Sequence, residues 1–216
     1  LTPMLIDRFP QLKGLILDMD GVLWHDNQPI GDLPAIFASM KDQGLEIILM
    51  TNNATKVIND YVLKLAAFGV HVTADQVMSS AEATASILAR EFKPGSSAYV
   101  VGSPALKETI QNHGLTICPE SEDKHADVVV AGLDRQISYE KIRNSSLLVQ
   151  AGVPFYATNL DATFPSPEGF LPGAGTFVAA VATAGGREPI VIGKPYPGMY
   201  LEAARIDGVN RLQEFF

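Results

Sequence analysis

Two aspartates one residue apart, Asp18 and Asp20, end the apolar run Leu15-Ile16-Leu17 and are followed by Gly21-Val22-Leu23-Trp24. Residues i and i+2 of a strand share a side, so both carboxylates lean into one site where the strand stops. Two close carboxylates repel unless a cation lies between them or one holds a proton. An Asx-Gly turn closing a strand accounts for the same residues without chemistry. A second apolar run, Ile47-Ile48-Leu49-Met50, stops at Thr51-Asn52-Asn53-Ala54-Thr55. There a hydroxyl, an amide and the N–H groups of a following helix could meet an anion, although Thr and Asn are also ordinary helix caps. The third run, Ile190-Val191-Ile192, stops at Gly193-Lys194-Pro195. A lone lysine is usually a solvated surface group, and Gly193-Lys194 lacks the glycine spacing of a phosphate-binding P-loop.

Taken together, the three strand tips offer paired carboxylates, a hydroxyl–amide pair and an ammonium. Phosphoryl transfer needs a nucleophile, a proton donor for the leaving oxygen and positive charge around the phosphoryl oxygens. A carboxylate serves as nucleophile by forming an acyl phosphate that water hydrolyses. Mg²⁺ suits carboxylate and phosphate oxygens and would relieve the repulsion between them.

Short apolar runs alternating with amphipathic segments must position these tips, which is the pattern of an α/β fold. The spacing predicts strands at 14–18, 46–51, 98–101, 127–131, 155–157 and 190–192. It predicts helices at 34–43, 57–68, 81–91, 104–113, 138–151, 175–184 and 197–205, with glycines after several of them. In open α/β sheets, ligands bind at the carboxyl ends of the strands. The rhythm runs once over residues 1–78 and again over 79–187, after which 188–216 reads as a return to the first set. That division describes an α/β, Rossmann-like parallel-sheet core with an inserted α/β cap.

Composition narrows the function classes. A net charge of −8 over 216 residues argues against nucleic acid or an anionic membrane as partner. It leaves room for a small anionic substrate, for which a metal ion and backbone amides supply local positive potential. The single cysteine, Cys118, excludes an internal disulfide and fits a reducing, cytoplasmic setting. No signal-peptide pattern and no stretch of membrane-spanning length occurs in the sequence. His25, His71, His113 and His125 are scattered without metal-ligand spacing and read as surface or capping residues.

Asp18-Met19-Asp20-Gly21-Val22-Leu23-Trp24, Thr51-Asn52-Asn53-Ala54-Thr55 and Gly193-Lys194-Pro195 resemble the ordered first, second and third motifs of the haloacid dehalogenase-like phosphatases. The segment between the second and third motifs is similar to the large α/β cap of the NagD / p-nitrophenylphosphatase subfamily. Gly132-Leu133-Asp134-Arg135, Thr158-Asn159-Leu160-Asp161 and Gly173-Ala174-Gly175-Thr176 carry that part of the likeness. The resemblance implies a Mg²⁺-dependent phosphomonoester hydrolase acting on a small phosphorylated metabolite. In it Asp18 is nucleophile and metal ligand, and Asp20 is general acid/base and binds the metal through its carbonyl. Thr51 and Asn52 hold the phosphoryl oxygens, while Lys194 neutralises charge and orients Asp18.

The cap would choose the substrate, with Asp134, Arg135, Asn159 and Asp161 as candidates, and Arg135 suited to a carboxylate or second phosphate. Loop or helix-cap duty accounts for each of them as well. Gly173-Ala174-Gly175 lacks the third glycine of a dinucleotide loop and reads as a tight turn into a helix. Trp24 reads as a core residue and Cys118 as structural. A homodimer through the cap follows from family analogy alone. The family's fourth motif, a strand ending in Gly-Asp with further metal-binding aspartates, has no counterpart here: Asp207-Gly208 falls at a helix end, and Glu214 follows no apolar strand. That gap reads either as a core incomplete at its C-terminus or as a catalytically weak binding or scaffold relative that retains the phosphate pocket. A phosphotransferase with the same intermediate is a separate alternative.

Overall fold

The computed structural model describes residues 5–120 and 125–206. Asp207, Gly208 and Glu214, weighed above against the fourth motif, lie outside the described residues. The chain divides into two compact units, Leu1–Thr51 with Ile58–Met78, and Asn52–Val57 with Ser79–Phe216.

The first unit runs α1 (Leu5–Arg8), β1 (Gly14–Asp18), β2 (Trp24–His25), β3 (Gln28–Pro29), α2 (Leu33–Asp42), β4 (Glu46–Thr51), α3 (Ile58–Ala67), a 3₁₀ turn at Ala74–Gln76 and β5 (Val77–Ser79). β1 pairs in parallel with β4, from Gly14 opposite Glu46 to Asp18 opposite Met50. The sheet order is β1-β4-β5. α2 begins where the Asp32 side chain accepts the Ala35 N–H at 3.1 Å, with Pro34 in the first turn. Met19, Leu23, Trp24, Leu49, Tyr61 and Leu65 are buried in one cluster beneath the strand ends. The expected core role of Trp24 is met there, its ring 5.9 Å from that of Phe68. β1 is an edge strand among the described residues, and Ile16 is 36% exposed on it.

The second unit runs α4 (Ser80–Glu91), β6 (Ser97–Val101), α5 (Pro104–Asn112), β7 (Thr116–Ile117), β8 (Val128–Ala131), α6 (Tyr139–Gln150), β9 (Phe155–Ala157), β10 (Thr163–Ser166), β11 (Gly169–Pro172), α7 (Ala174–Gly185), β12 (Ile190–Val191) and α8 (Pro197–Ile206). Five parallel strands form one sheet in the order β12-β9-β8-β6-β7. Helices cover a parallel sheet, so its strands read as unbroken apolar runs: Val128-Val129-Val130-Ala131 is buried throughout. Ser79, Ser103 and Ser138 cap α4, α5 and α6, each accepting an N–H from the first turn. Glu202 on α8 is 2% exposed and receives hydrogen bonds from Ser86 and Arg90 of α4 and from Arg205.

The sequence groups 188–216 with residues 1–78, whereas in the structure the described part of that segment lies in the second unit. The physical reason is a ladder: Ile190 and Val191 pair with Tyr156 and Ala157, and Ile192 donates to the Ala157 carbonyl at 3.0 Å. The antiparallel hairpin of β10 and β11 was not expected from the sequence either. No helix among the described residues is long and apolar enough to cross a membrane.

Candidate active site

β1 delivers Asp18 and Asp20 at its carboxyl end, both exposed. The Met19 N–H donates to Asp18 Oδ1 at 2.8 Å. Asp20 is held on both oxygens: Trp24 Nε1–H donates to Oδ1 at 2.8 Å and the Thr51 hydroxyl to Oδ2 at 3.1 Å. The turn that aims Trp24 back at Asp20 is closed by Leu23 N–H to the Met19 carbonyl and Gly21 N–H to the Trp24 carbonyl, each 2.8 Å. Thr51 is buried at the tip of β4 beside Tyr61. Burial pushes the Tyr61 hydroxyl far up, and the nearby Asp20 and Asp60 charges push the same way against a hydrogen bond with Thr51. Tyr61 therefore stays neutral and can hold the Thr51 side chain in place. Within this unit, then, the structure brings Asp18, Asp20 and Thr51 to one strand edge.

A second group surrounds the end of β12. The Asn52 side chain faces the main chain of Lys194, its Nδ2 donating to the Lys194 carbonyl at 2.9 Å and its Oδ1 accepting the Lys194 N–H at 2.8 Å. The same Nδ2 also donates to Asp161 Oδ2 at 3.0 Å. Asn159 Nδ2 and the Ser80 hydroxyl both donate to the Asn52 carbonyl, at 2.8 and 2.6 Å. Asn159 Oδ1 in turn accepts the Asp161 N–H at 3.0 Å. A Cβ on Gly193 would come within 2.3 Å of the Thr158 carbonyl oxygen and 2.7 Å of Asn52 Oδ1, so only glycine lets the chain pass here. The expected tight turn at Gly173 is present: its N–H donates to the Ala162 carbonyl at 2.8 Å, and α7 begins directly after it.

Asp134 does not join that group. It is 3% exposed, its Oδ2 lies 2.9 Å from Lys141 Nζ and its Oδ1 accepts the Gln136 N–H at 2.8 Å. Burial opposes the Lys141 charge, but Asp134 and Glu120 outweigh it and raise the lysine above its ordinary value. Arg135 is exposed and stacks with its guanidinium carbon 5.7 Å from the centre of the Phe164 ring. Sequence reasoning missed Lys141 as the partner of Asp134, and missed Trp24 as a donor to Asp20. In the first case a loop residue seven positions before a lysine was the available signal. In the second it was an indole four residues after a carboxylate. Cys118 is buried, and His113 caps α5.

The Asp18 carboxylate and the Asp20 carbonyl are hard oxygen donors of the kind Mg²⁺ takes, and an exposed strand edge leaves room for the waters it retains. Among the described residues no group of three or more His, Cys, Asp or Glu side chains is placed so that it could hold a metal ion by itself. Phosphate and water oxygens are further donors of the same hard type.

Comparison with known proteins bears on this geometry. Residues 15–116 match the family model of the haloacid dehalogenase-like hydrolases. An acid sugar phosphatase of Staphylococcus saprophyticus is 34% identical over 199 residues, which cover 92% of this chain and 75% of that protein. The solved p-nitrophenyl phosphatase of Archaeoglobus fulgidus superposes with a TM-score of 0.85 at 33% identity, over 92% of this chain and 75% of that one. A glycerol phosphate phosphatase of Mycobacterium tuberculosis, solved in complex with magnesium, gives a TM-score of 0.80 at 31% identity, over 90% of this chain and 57% of that one. The chain accordingly belongs to the haloacid dehalogenase-like hydrolases and, within them, to the NagD / p-nitrophenylphosphatase subfamily, a group of phosphoric monoester hydrolases.

Proposed function

We propose that the protein hydrolyses the phosphomonoester of a small phosphorylated metabolite by way of an aspartyl phosphate on Asp18, with Mg²⁺ as cofactor. The observation that carries this reading is the pair at the end of β1: Asp18 exposed, and Asp20 beside it gripped by Trp24 and Thr51. An Asp18 carboxylate oxygen attacks phosphorus as the bond to the ester oxygen breaks, and the Asp20 carboxyl gives its proton to that leaving oxygen. Water then attacks the acyl phosphate, Asp20 takes the proton back, and inorganic phosphate departs with Asp18 restored. Two donors on Asp20 fix the direction in which its carboxyl faces, which a proton relay to a second site requires.

The Lys194 ammonium supplies the positive charge that the phosphoryl oxygens need in the transition state, and the Thr51 hydroxyl, whose single proton goes to Asp20 in this structure, would turn to a phosphoryl oxygen once Asp20 itself carries a proton. Asp18, through its carboxylate, and Asp20, through its carbonyl, would hold Mg²⁺. When bound, the ion lowers the repulsion between the phosphate dianion and the attacking carboxylate. The names of the relatives span a sugar phosphatase, a glycerol phosphate phosphatase and a p-nitrophenyl phosphatase. That spread supports a site that recognises the phosphoryl group closely and leaves the leaving group to Arg135 and its neighbours.

The test is turnover of p-nitrophenyl phosphate by the full chain, with and without EDTA. Activity that EDTA removes and added Mg²⁺ restores is the expected result. Folded protein with no Mg²⁺-dependent turnover would refute the reading, and transfer of phosphate to an added alcohol in place of release would redirect it to a phosphotransferase.

A further inference from the structure

We infer that Asn52 is a positioning residue for Lys194: its side-chain amide stands in for a neighbouring strand and fixes the lysine main chain, instead of binding phosphate itself. This inference rests on the reading just given for Lys194. The parallel ladder between β9 and β12 continues past the strand end, with Ile192 N–H on the Ala157 carbonyl at 3.0 Å and Gly193 N–H on the Thr158 carbonyl at 2.8 Å. It stops one residue short of Lys194. Both main-chain groups of Lys194 are then met by one side chain, Nδ2 on the carbonyl and Oδ1 on the N–H. A primary amide has the donor and acceptor geometry of a peptide group, so only asparagine or a longer amide satisfies both at once.

The asparagine is itself braced from three sides. Asn159 and Ser80 hold its carbonyl, Asp161 accepts its remaining N–H, and Asn159 also holds the Asp161 N–H. Both N–H bonds of the Asn52 side-chain amide and its oxygen are thus met by protein, its main-chain carbonyl is held separately by Asn159 and Ser80, and Asn159 is 4% exposed. Gly193 supplies the close approach that allows this. Three residues expected on sequence to meet substrate, Asn52, Asn159 and Asp161, thus form one brace on Lys194.

A double-mutant cycle with p-nitrophenyl phosphate tests the inference. Asn52→Ala is expected to lower kcat about 10- to 100-fold while the inhibition constant for inorganic phosphate moves less than about threefold. Lys194→Ala is expected to lower kcat further, and Asn52→Ala in that background to add less than about threefold, because the main chain it holds then carries no ammonium to position. Where Lys194→Ala falls below detection, Lys194→Arg serves as the background. Multiplicative losses, or a phosphate inhibition constant that weakens in step with kcat, would overturn the inference and return Asn52 to the phosphate. Unchanged kcat in Asn52→Ala would overturn it as well. Should Asn52→Ala not fold, Asp161→Ala removes only the outer acceptor and must show the same non-additivity with Lys194 at a smaller loss. Full activity of Lys194→Ala is a different failure, since it removes Lys194 from the proposed reaction and leaves Asp18 and Asp20 untouched.

Discussion

An aspartate lies at or just past the carboxyl end of a strand in each unit, and the two have been put to opposite uses. After β1, Asp18 and Asp20 are exposed, and the donors that reach Asp20 are neutral, an indole N–H and a hydroxyl. After β8, Asp134 is buried against the ammonium of Lys141, which Glu120 shares. Neutral donors orient a carboxylate without cancelling its charge, whereas a buried ammonium cancels the charge and fixes the loop. Asp20 is turned by donors that leave its charge in place, whereas Asp134 has its charge met by an ammonium and serves the loop. The lysines differ in what the hydrogen bonds described above fix. Lys141 is held by its ammonium, and Lys194 is held by its main chain.

The largest expected effect is a crossed one. Asp18→Asn should abolish p-nitrophenyl phosphate turnover with the melting temperature unchanged. Lys141→Met should cost about 3 kcal/mol of stability by stranding a buried Asp134, with turnover per folded molecule retained. Stability curves in urea beside steady-state rates decide it, and loss of turnover in both variants at full stability would break the comparison.

Trp24→Phe comes next. It keeps the ring against Phe68 and under the Lys64 ammonium, which sits 4.3 Å from the Trp24 ring centre, and deletes only the donor to Asp20. A hydrogen bond to a charged group contributes about 1.5 kcal/mol, so kcat should fall about tenfold with little change in fold stability. An unchanged kcat would show that the indole merely fills space.

The smallest effect is a pH-dependent one. Glu82, 3.0 Å from His113 Nε2, holds the imidazole above its ordinary value; burial works against this and the Thr109 carbonyl adds to it. A raised folded value means that the charged pair stabilises fully below the unfolded pKa, near 6.5, and that this contribution is lost as pH rises through the folded value. The melting temperature of the parent should exceed that of His113→Gln at pH 5.5 and converge on it by pH 9. A constant difference across that range would mean that the ion pair contributes nothing.

The strands that carry Asp18 and Thr51 were legible to the residue, because an apolar run ending in small polar residues has few other meanings in an alternating chain. The helices shifted by a residue or so at their ends, where caps and not periodicity decide. The β10–β11 hairpin was hidden by Pro165 and by a turn outside the common two-residue signals. At the site, residue types were legible and partners were not. Asp161 and Asn159 carried the right chemistry for a substrate contact, but the group they face, Asn52, lies more than 100 residues away in sequence. Asp134 looked available because nothing local says that Lys141, in the first turn of α6, will turn back onto it.

At three glycines the backbone passes at the limit of contact. A methyl group on Gly173 would stand 2.1 Å from the Asp161 carbonyl oxygen, on Gly175 2.3 Å from that of Leu160, and on Gly193 2.3 Å from that of Thr158. A saturation library scored by colony colour would mark all three as intolerant and would rank them beside Asp18. None of them has a side chain to offer a ligand. Such a screen on this chain would report a map of where the backbone is crowded overlaid on a map of where reaction happens. Only a second screen for folded yield would pull the two apart.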